Sequence, residues 1–196
     1  MKLSHLIPAV ALMVIAVSCT HPGAKGENVI IHTEMGDIHV ALDLEKAPVT
    51  SANFLRYVDA GLFDSTCFYR VVGKDNQPGD SVHIAVIQGG RYDEERDGFP
   101  PVTHETTAMT GIRHRSGVIS MARWTPGSAT SEFFICVGNQ PDLDFGGRRN
   151  HDGQGFAAFG KVIRGMKVVR RIHSLPAPEQ YLEKPVLIIR IARKSI

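Results

Sequence analysis

Two side chains in this sequence are placed to do chemistry. Arg70 lies in the run Cys67-Phe68-Tyr69-Arg70-Val71-Val72, and Gln88 in Ile84-Ala85-Val86-Ile87-Gln88-Gly89-Gly90. Both runs are apolar and β-like, and each carries one strongly polar side chain. A guanidinium offers five N–H donors in a planar fork and keeps its charge, so it suits a carbonyl or amide nitrogen that must be polarised. Strand alternation places Phe68 and Arg70 on one face and Tyr69 and Val71 on the other. Taken alone, the stretch fits equally an arginine at the water line paired with an acid. Other chemistries find no support. The nine histidines are scattered, with no pair at helical spacing and no acid placed to orient them, so neither a metal site nor a cofactor is expected. The Asp/Gly-rich segment 144–155 reads as an exposed loop, and no acid closes a calcium loop there. No nucleophile elbow, Walker loop or dinucleotide fingerprint occurs.

These two residues need a scaffold of strands. Val29 to Leu44 alternates around Glu34-Met35-Gly36-Asp37 and predicts a β-hairpin. From Pro48 the apolar period becomes helical, through Phe54, Leu55 and Val58, with Gly61 as the stop. The strands bearing Arg70 and Gln88 follow, joined by a polar insert over 73–80 that reads as a hairpin-like flap. Strands are then expected over 117–122, 131–137, 156–163 and 185–192, with a short helix over 166–172. In the run 131–137, Glu132 and Phe134 share one face. Many strands, two short helices and no regular strand–helix alternation predict an all-β fold, a closed antiparallel barrel.

The bulk properties bound the rest. At 196 residues and a net charge of +2, with basic residues spread along the chain, the sequence suits one domain and offers no stripe for nucleic acid. Residues 1–19 differ from the remainder: Lys2, an apolar run from Leu6 to Val17, then Ser18-Cys19. That pattern is a secretory signal, too short to span a membrane. Its end resembles a bacterial lipobox, which implies lipidation of Cys19 and anchoring at a membrane surface. A cleaved signal with an incidental cysteine is the other reading. Residues 20–28 form a flexible tether and 29–196 the folded domain. Cys67 and Cys136 lie in apolar runs and read as buried free thiols.

Taken in order, the stretches Gly36-Asp37-Ile38, Ala47 to Phe54, Phe68 to Val72, Ile87 to Gly90, Ile119 to Ala122, Ser131 to Ile135 and Phe159 to Val162 resemble the motif series of the cyclophilin-type peptidyl-prolyl isomerases. The resemblance covers 29 to about 193. It implies an eight-stranded antiparallel closed barrel capped by two short helices, with a groove that takes an extended peptide around an X-Pro bond. It also implies a catalytic role for Arg70, a backbone-holding role for Gln88, a pocket floor in Phe134, and pocket or groove roles for Leu143 and Ala122. Phe68, Val86, Met121, Glu132 and Phe156 join them as substrate-binding positions. The sequence departs from the family pattern at Ala85 (usually phenylalanine), Val86 (methionine), Arg123 (asparagine), Glu132 (glutamine), Asp142 (tryptophan) and Phe156 (histidine). Those departures imply a remodelled proline pocket.

The implied activity is isomerisation of proline bonds in exported polypeptides by a monomer held at the cell envelope. A second class remains open, an adaptor that grips proline-containing segments without turnover. Acceleration of a proline-limited refolding at substoichiometric concentration separates the two.

Overall fold

The computed structural model describes residues 27–91 and 98–194. The signal segment, Cys19 and nearly all of the tether lie outside the described residues. Strand β1 begins at Glu27, two residues inside the expected tether.

Eight strands close a barrel. They are β1 (Glu27–Thr33), β2 (Gly36–Leu42), β3 (Thr66–Val72), β4 (Val86–Gly90), β5 (Val118–Met121), β6 (Phe133–Cys136), β7 (Ala157–Arg164) and β8 (Tyr181–Arg193). Their order around the barrel is β1-β2-β7-β5-β6-β4-β3-β8, and every pairing is antiparallel. Helices α1 (Pro48–Asp59), α2 (Thr107–Thr110) and α3 (Met166–His173) complete the fold. The expected two helices are therefore α1 and α3, with one extra turn in the segment read as loop. Strand β8 is longer than its apolar core suggested, because Tyr181 to Lys184 continue the pairing while exposing most of their side chains.

The barrel interior is filled by the inward halves of the alternating strands. Val29, Ile31, Ile38, Val40, Ile87, Ile119, Phe133, Ile135 and Phe159 are all buried there. Phe54 from α1 plugs one end, with its ring 5.4 Å from Phe133 in a T-shaped arrangement and 5.0 Å from Phe63. Residue Ala47 provides no side-chain cap for α1. The carboxylate of Glu105 serves instead, accepting from the backbone N–H of Val49 at 3.1 Å and of Thr50 at 2.7 Å, and from the Thr50 hydroxyl at 2.6 Å. An anion at a helix N-terminus satisfies donors that no intrahelical bond can reach. Through it the 98–111 segment is tied to α1.

Candidate active site

The site starts from a miscount in one strand. Along β3 and β4, Phe68 pairs with Gly89 and the next pair is Arg70 with Gln88, so Tyr69 is an extra residue. A bulge of this kind breaks alternation and re-aims a side chain. Phe68 and Arg70 consequently do not share a face. Phe68 turns into the barrel, its ring 5.8 Å from Phe133, while Tyr69 and Arg70 both face a surface groove. Gly89 is required opposite the bulge, since a Cβ there would lie 2.7 Å from the Cys67 carbonyl oxygen and 2.9 Å from the Phe68 ring.

Arg70 is gripped from two sides. Its Nη1 donates to Gln88 Oε1 at 2.8 Å, and its Nη2 donates to Gln180 Oε1. Gln180 reaches it with φ of +72, next to Glu179 at +52, a left-handed pair that non-glycine residues seldom adopt. Gln88 Nε2 in turn donates to the Tyr69 hydroxyl at 2.6 Å and to Glu132 Oε2 at 2.8 Å, and Tyr69 donates to the same oxygen at 2.6 Å. Burial pushes the Tyr69 phenol well up, and the Glu132 hydrogen bond adds to it, so the phenol stays a donor. Burial draws the Arg70 guanidinium down from its usual value, opposed by the neighbouring Tyr69 and Tyr181 and reinforced by Arg149. Two of its five N–H donors are spent on these glutamines, which leaves three for a ligand.

Beside Arg70 the groove, about 610 Å³, becomes apolar. Val72, Val82, Ile84, Val86, Phe134, Cys136 and Leu143 form one buried cluster, with Ala122 and Phe156 packed against it. The Phe156 ring stands T-shaped to Phe134 at 5.2 Å. Val82 and Ile84, from the stretch between the insert and β4, fill the wall beside Val86. The insert is not a hairpin: it runs as turns around buried Gln77, which donates to the carbonyls of Gly73 and Ile84 and accepts from the Ile84 N–H. Arg149 latches it to the other long loop, with Nη1 2.8 Å from both Asp80 Oδ2 and the Val82 carbonyl.

The 144–155 segment is also less exposed than its composition suggests. Asp144 is buried and accepts from the His114 backbone N–H at 2.9 Å and from His114 Nδ1 at 2.8 Å, while His114 Nε2 sits 3.0 Å from Ser120 Oγ. A carboxylate can only accept, so Nδ1 carries a hydrogen, and the Ser120 hydroxyl, which can donate or accept, completes the bonding of the ring at Nε2. The order Ser–His–Asp is that of an acyl-transfer array, but Ser120 is wholly buried and the imidazole lies flat against Phe134 at 6.0 Å. Its work is to hold the pocket floor. Acids do orient two histidines, contrary to the reading of the sequence: Asp144 meets His114 from 30 residues away, and Asp37 meets His32 across the β1–β2 pairing at 2.9 Å.

Of the positions singled out from sequence, Arg70, Val86, Gln88, Ala122, Glu132, Phe134, Leu143 and Phe156 line the groove together. Phe68 and Met121 do not: both are buried in the barrel core, Phe68 by the bulge and Met121 by the inward register of β5. Asp142 lies off the groove and pairs with Arg148. Sequence reasoning missed Tyr69, Ile84, Trp124, Arg149, Gln180 and Tyr181 as lining residues. Cys67 and Cys136 are free, and burial raises both thiols, so neither is a ready thiolate.

The fold and site thus define a closed eight-stranded barrel with a guanidinium fixed at the wall of an open, apolar groove. Residues 28–193 match the family described as "Cyclophilin type peptidyl-prolyl cis-trans isomerase/CLD", and the chain belongs to that family of enzymes. It is 34% identical over 202 residues to peptidyl-prolyl cis-trans isomerase A of Dickeya dadantii, covering 97% of this chain and 98% of the relative. Isomerase B of Escherichia coli is 34% identical over 148 residues, 74% of this chain and 82% of its own. A cyclophilin-type isomerase of Cryptosporidium parvum shares the fold with a TM-score of 0.69 at 23% identity, covering 88% of this chain and 99% of that one. A second structure of that protein, determined in the presence of the dipeptide Ala-Pro, gives a TM-score of 0.68 at 24% identity.

Proposed function

We propose that this chain accelerates cis-trans rotation of X-Pro bonds in exported polypeptides and so assists their folding. It works without a cofactor, as a monomer anchored through lipidated Cys19 at a bacterial membrane and facing the periplasm or the cell surface. The anchor rests on the signal-like residues 1–19 and the lipobox-like cysteine. The isomerase reading rests on one observation above all: Arg70 is held by Gln88 and Gln180 beside the apolar pocket of Val86, Phe134 and Leu143 with three N–H donors unspent.

Rotation about an amide faces a barrier of about 18–20 kcal/mol because resonance is lost as the bond twists. The twisted nitrogen recovers its lone pair and becomes an acceptor. A donor fixed toward it binds that state more tightly than either planar form, which is the condition for catalysis. Phe134 and Leu143 hold the proline ring, and the groove beyond Arg70 lets the other side of the bond turn. Gln88 has spent both amide hydrogens, so its remaining capacity is one lone pair on Oε1. It therefore holds a substrate backbone by accepting an N–H.

Exchange NMR of a short X-Pro peptide with protein lacking residues 1–19 tests the reaction. Fast exchange that collapses in Arg70→Ala supports it; tight binding with no faster exchange would move the assignment to the adaptor class. Separately, Cys19→Ser should release the full chain from the membrane fraction, and retention there would remove the anchor from the reading.

A further inference from the structure

Trp124 is the only tryptophan in the sequence, lines the same groove as Arg70 and Phe134, and is 94% exposed. A large indole left in water is unusual mainly for how firmly its backbone is held. The preceding Arg123 side chain is buried, forms a two-point ion pair with Asp152 at 2.8 and 2.9 Å, and donates from Nε to the Gly155 carbonyl at 2.8 Å. Its guanidinium lies 5.2 Å from the centre of the Phe156 ring. On the other side, Ser128 Oγ accepts from the N–H groups of both Trp124 and Thr125 at 3.0 Å and closes the turn.

We propose that Trp124 sets substrate preference, by packing against an apolar or aromatic side chain next to the isomerising proline. This rests on the isomerase reading of the groove. Trp124 lines the groove together with Arg123 and Phe156, and Phe156 packs on the pocket floor at Phe134, so the indole is within the surface a bound chain would meet. The charge beside it is already neutralised by Asp152, so the lip favours apolar over acidic neighbours. An indole has only two side-chain torsions to immobilise, and its backbone is fixed beforehand, so covering it loses little entropy. Such rigid aromatic anchors dominate recognition surfaces.

The test uses the full-length chain in mild detergent and a panel of Xaa-Pro peptides carrying Phe, Leu, Ala or Glu on either side of the proline. In wild type, KM should be lowest for the Phe peptides. Trp124→Ala should raise KM for these about tenfold, with kcat changed less than about twofold and Ala peptides little affected; Trp124→Phe should recover most of the loss. Emission from the sole tryptophan should shift to shorter wavelength when Phe peptide is added. Equal KM values across the panel, or an unchanged panel in Trp124→Ala, would overturn the proposal while leaving the isomerase reading intact. Failure of wild type to isomerise any peptide would strike that reading instead. Emission already shifted without peptide, and unmoved by it, would put the ring in the detergent and overturn the proposal in favour of a membrane contact.

Discussion

Gln88 accepts from Arg70 at 2.8 Å with its one oxygen, because its nitrogen is committed to Tyr69 and Glu132. The carboxylate thereby fixes which way the amide points. With glutamine at 132 the amide gains an alternative orientation that turns a donor toward the guanidinium. Glu132→Gln should lower kcat/KM roughly threefold to tenfold with little change in melting temperature, since neutral partners hold an amide less firmly than charged ones. Steady-state exchange rates and a thermal melt of the same sample check both halves.

Charge alone at position 70 should not suffice. Arg70→Lys keeps the cation but replaces a planar fork, held by two glutamines, with a single flexible ammonium. A loss of about a hundredfold in kcat is expected, with peptide affinity within a fewfold of wild type. Single-turnover rates and a binding titration on one preparation would show it.

The latch from Arg149 to Asp80 and Val82 keeps Ile84 against the proline pocket. Arg149→Ala should therefore raise KM for all X-Pro peptides and speed amide exchange over 73–84, while exchange in β1 and β2 stays slow. Uniform exchange with an unchanged KM would show the two loops to be independent.

Glu105 closes the N-terminus of α1 with three hydrogen bonds from a segment more than 50 residues away in sequence. Glu105→Ala leaves those donors buried without an acceptor, and a loss of about 1–3 kcal/mol is expected by urea unfolding. Glu105 does not itself line the groove, so activity per folded molecule should hold.

Asp144 should sharpen acid unfolding. Burial raises its carboxyl, but the His114 side-chain and backbone hydrogen bonds, with the nearby Arg113 guanidinium, outweigh it and hold the group below its ordinary value. A depressed carboxylate contributes stability that is complete above the ordinary carboxylate range and is lost as pH falls through the folded value. Melting temperature should thus drop as pH goes from about 5 to about 2, and Asp144→Asn should show a shallower drop over that range. Asp59 and Asp152 are depressed too, held by Arg193 and Arg123, and act in the same direction.

Arg70 was legible because a lone arginine in an apolar strand is conspicuous, and its strand followed from β-branched and aromatic residues. The barrel followed from strand patterning together with the ordered motif series. The facing of Phe68 was not legible: a bulge adds one residue to the pairing and leaves no mark on composition. Gln180 was invisible for another reason, since it meets Arg70 across 110 residues of sequence and from a backbone conformation that propensity disfavours. His114 and Asp144 likewise look like loop residues until the chain brings them together under Phe134.

The pairing of β1 with β8 seals the barrel into a continuous ring. Extended peptides carry backbone groups that seek strand partners. An open sheet would present unpaired N–H and C=O groups and invite such peptides to add on as extra strands. Among the described residues the eight strands leave no such edge, so an extended peptide is offered the groove and no strand to pair with.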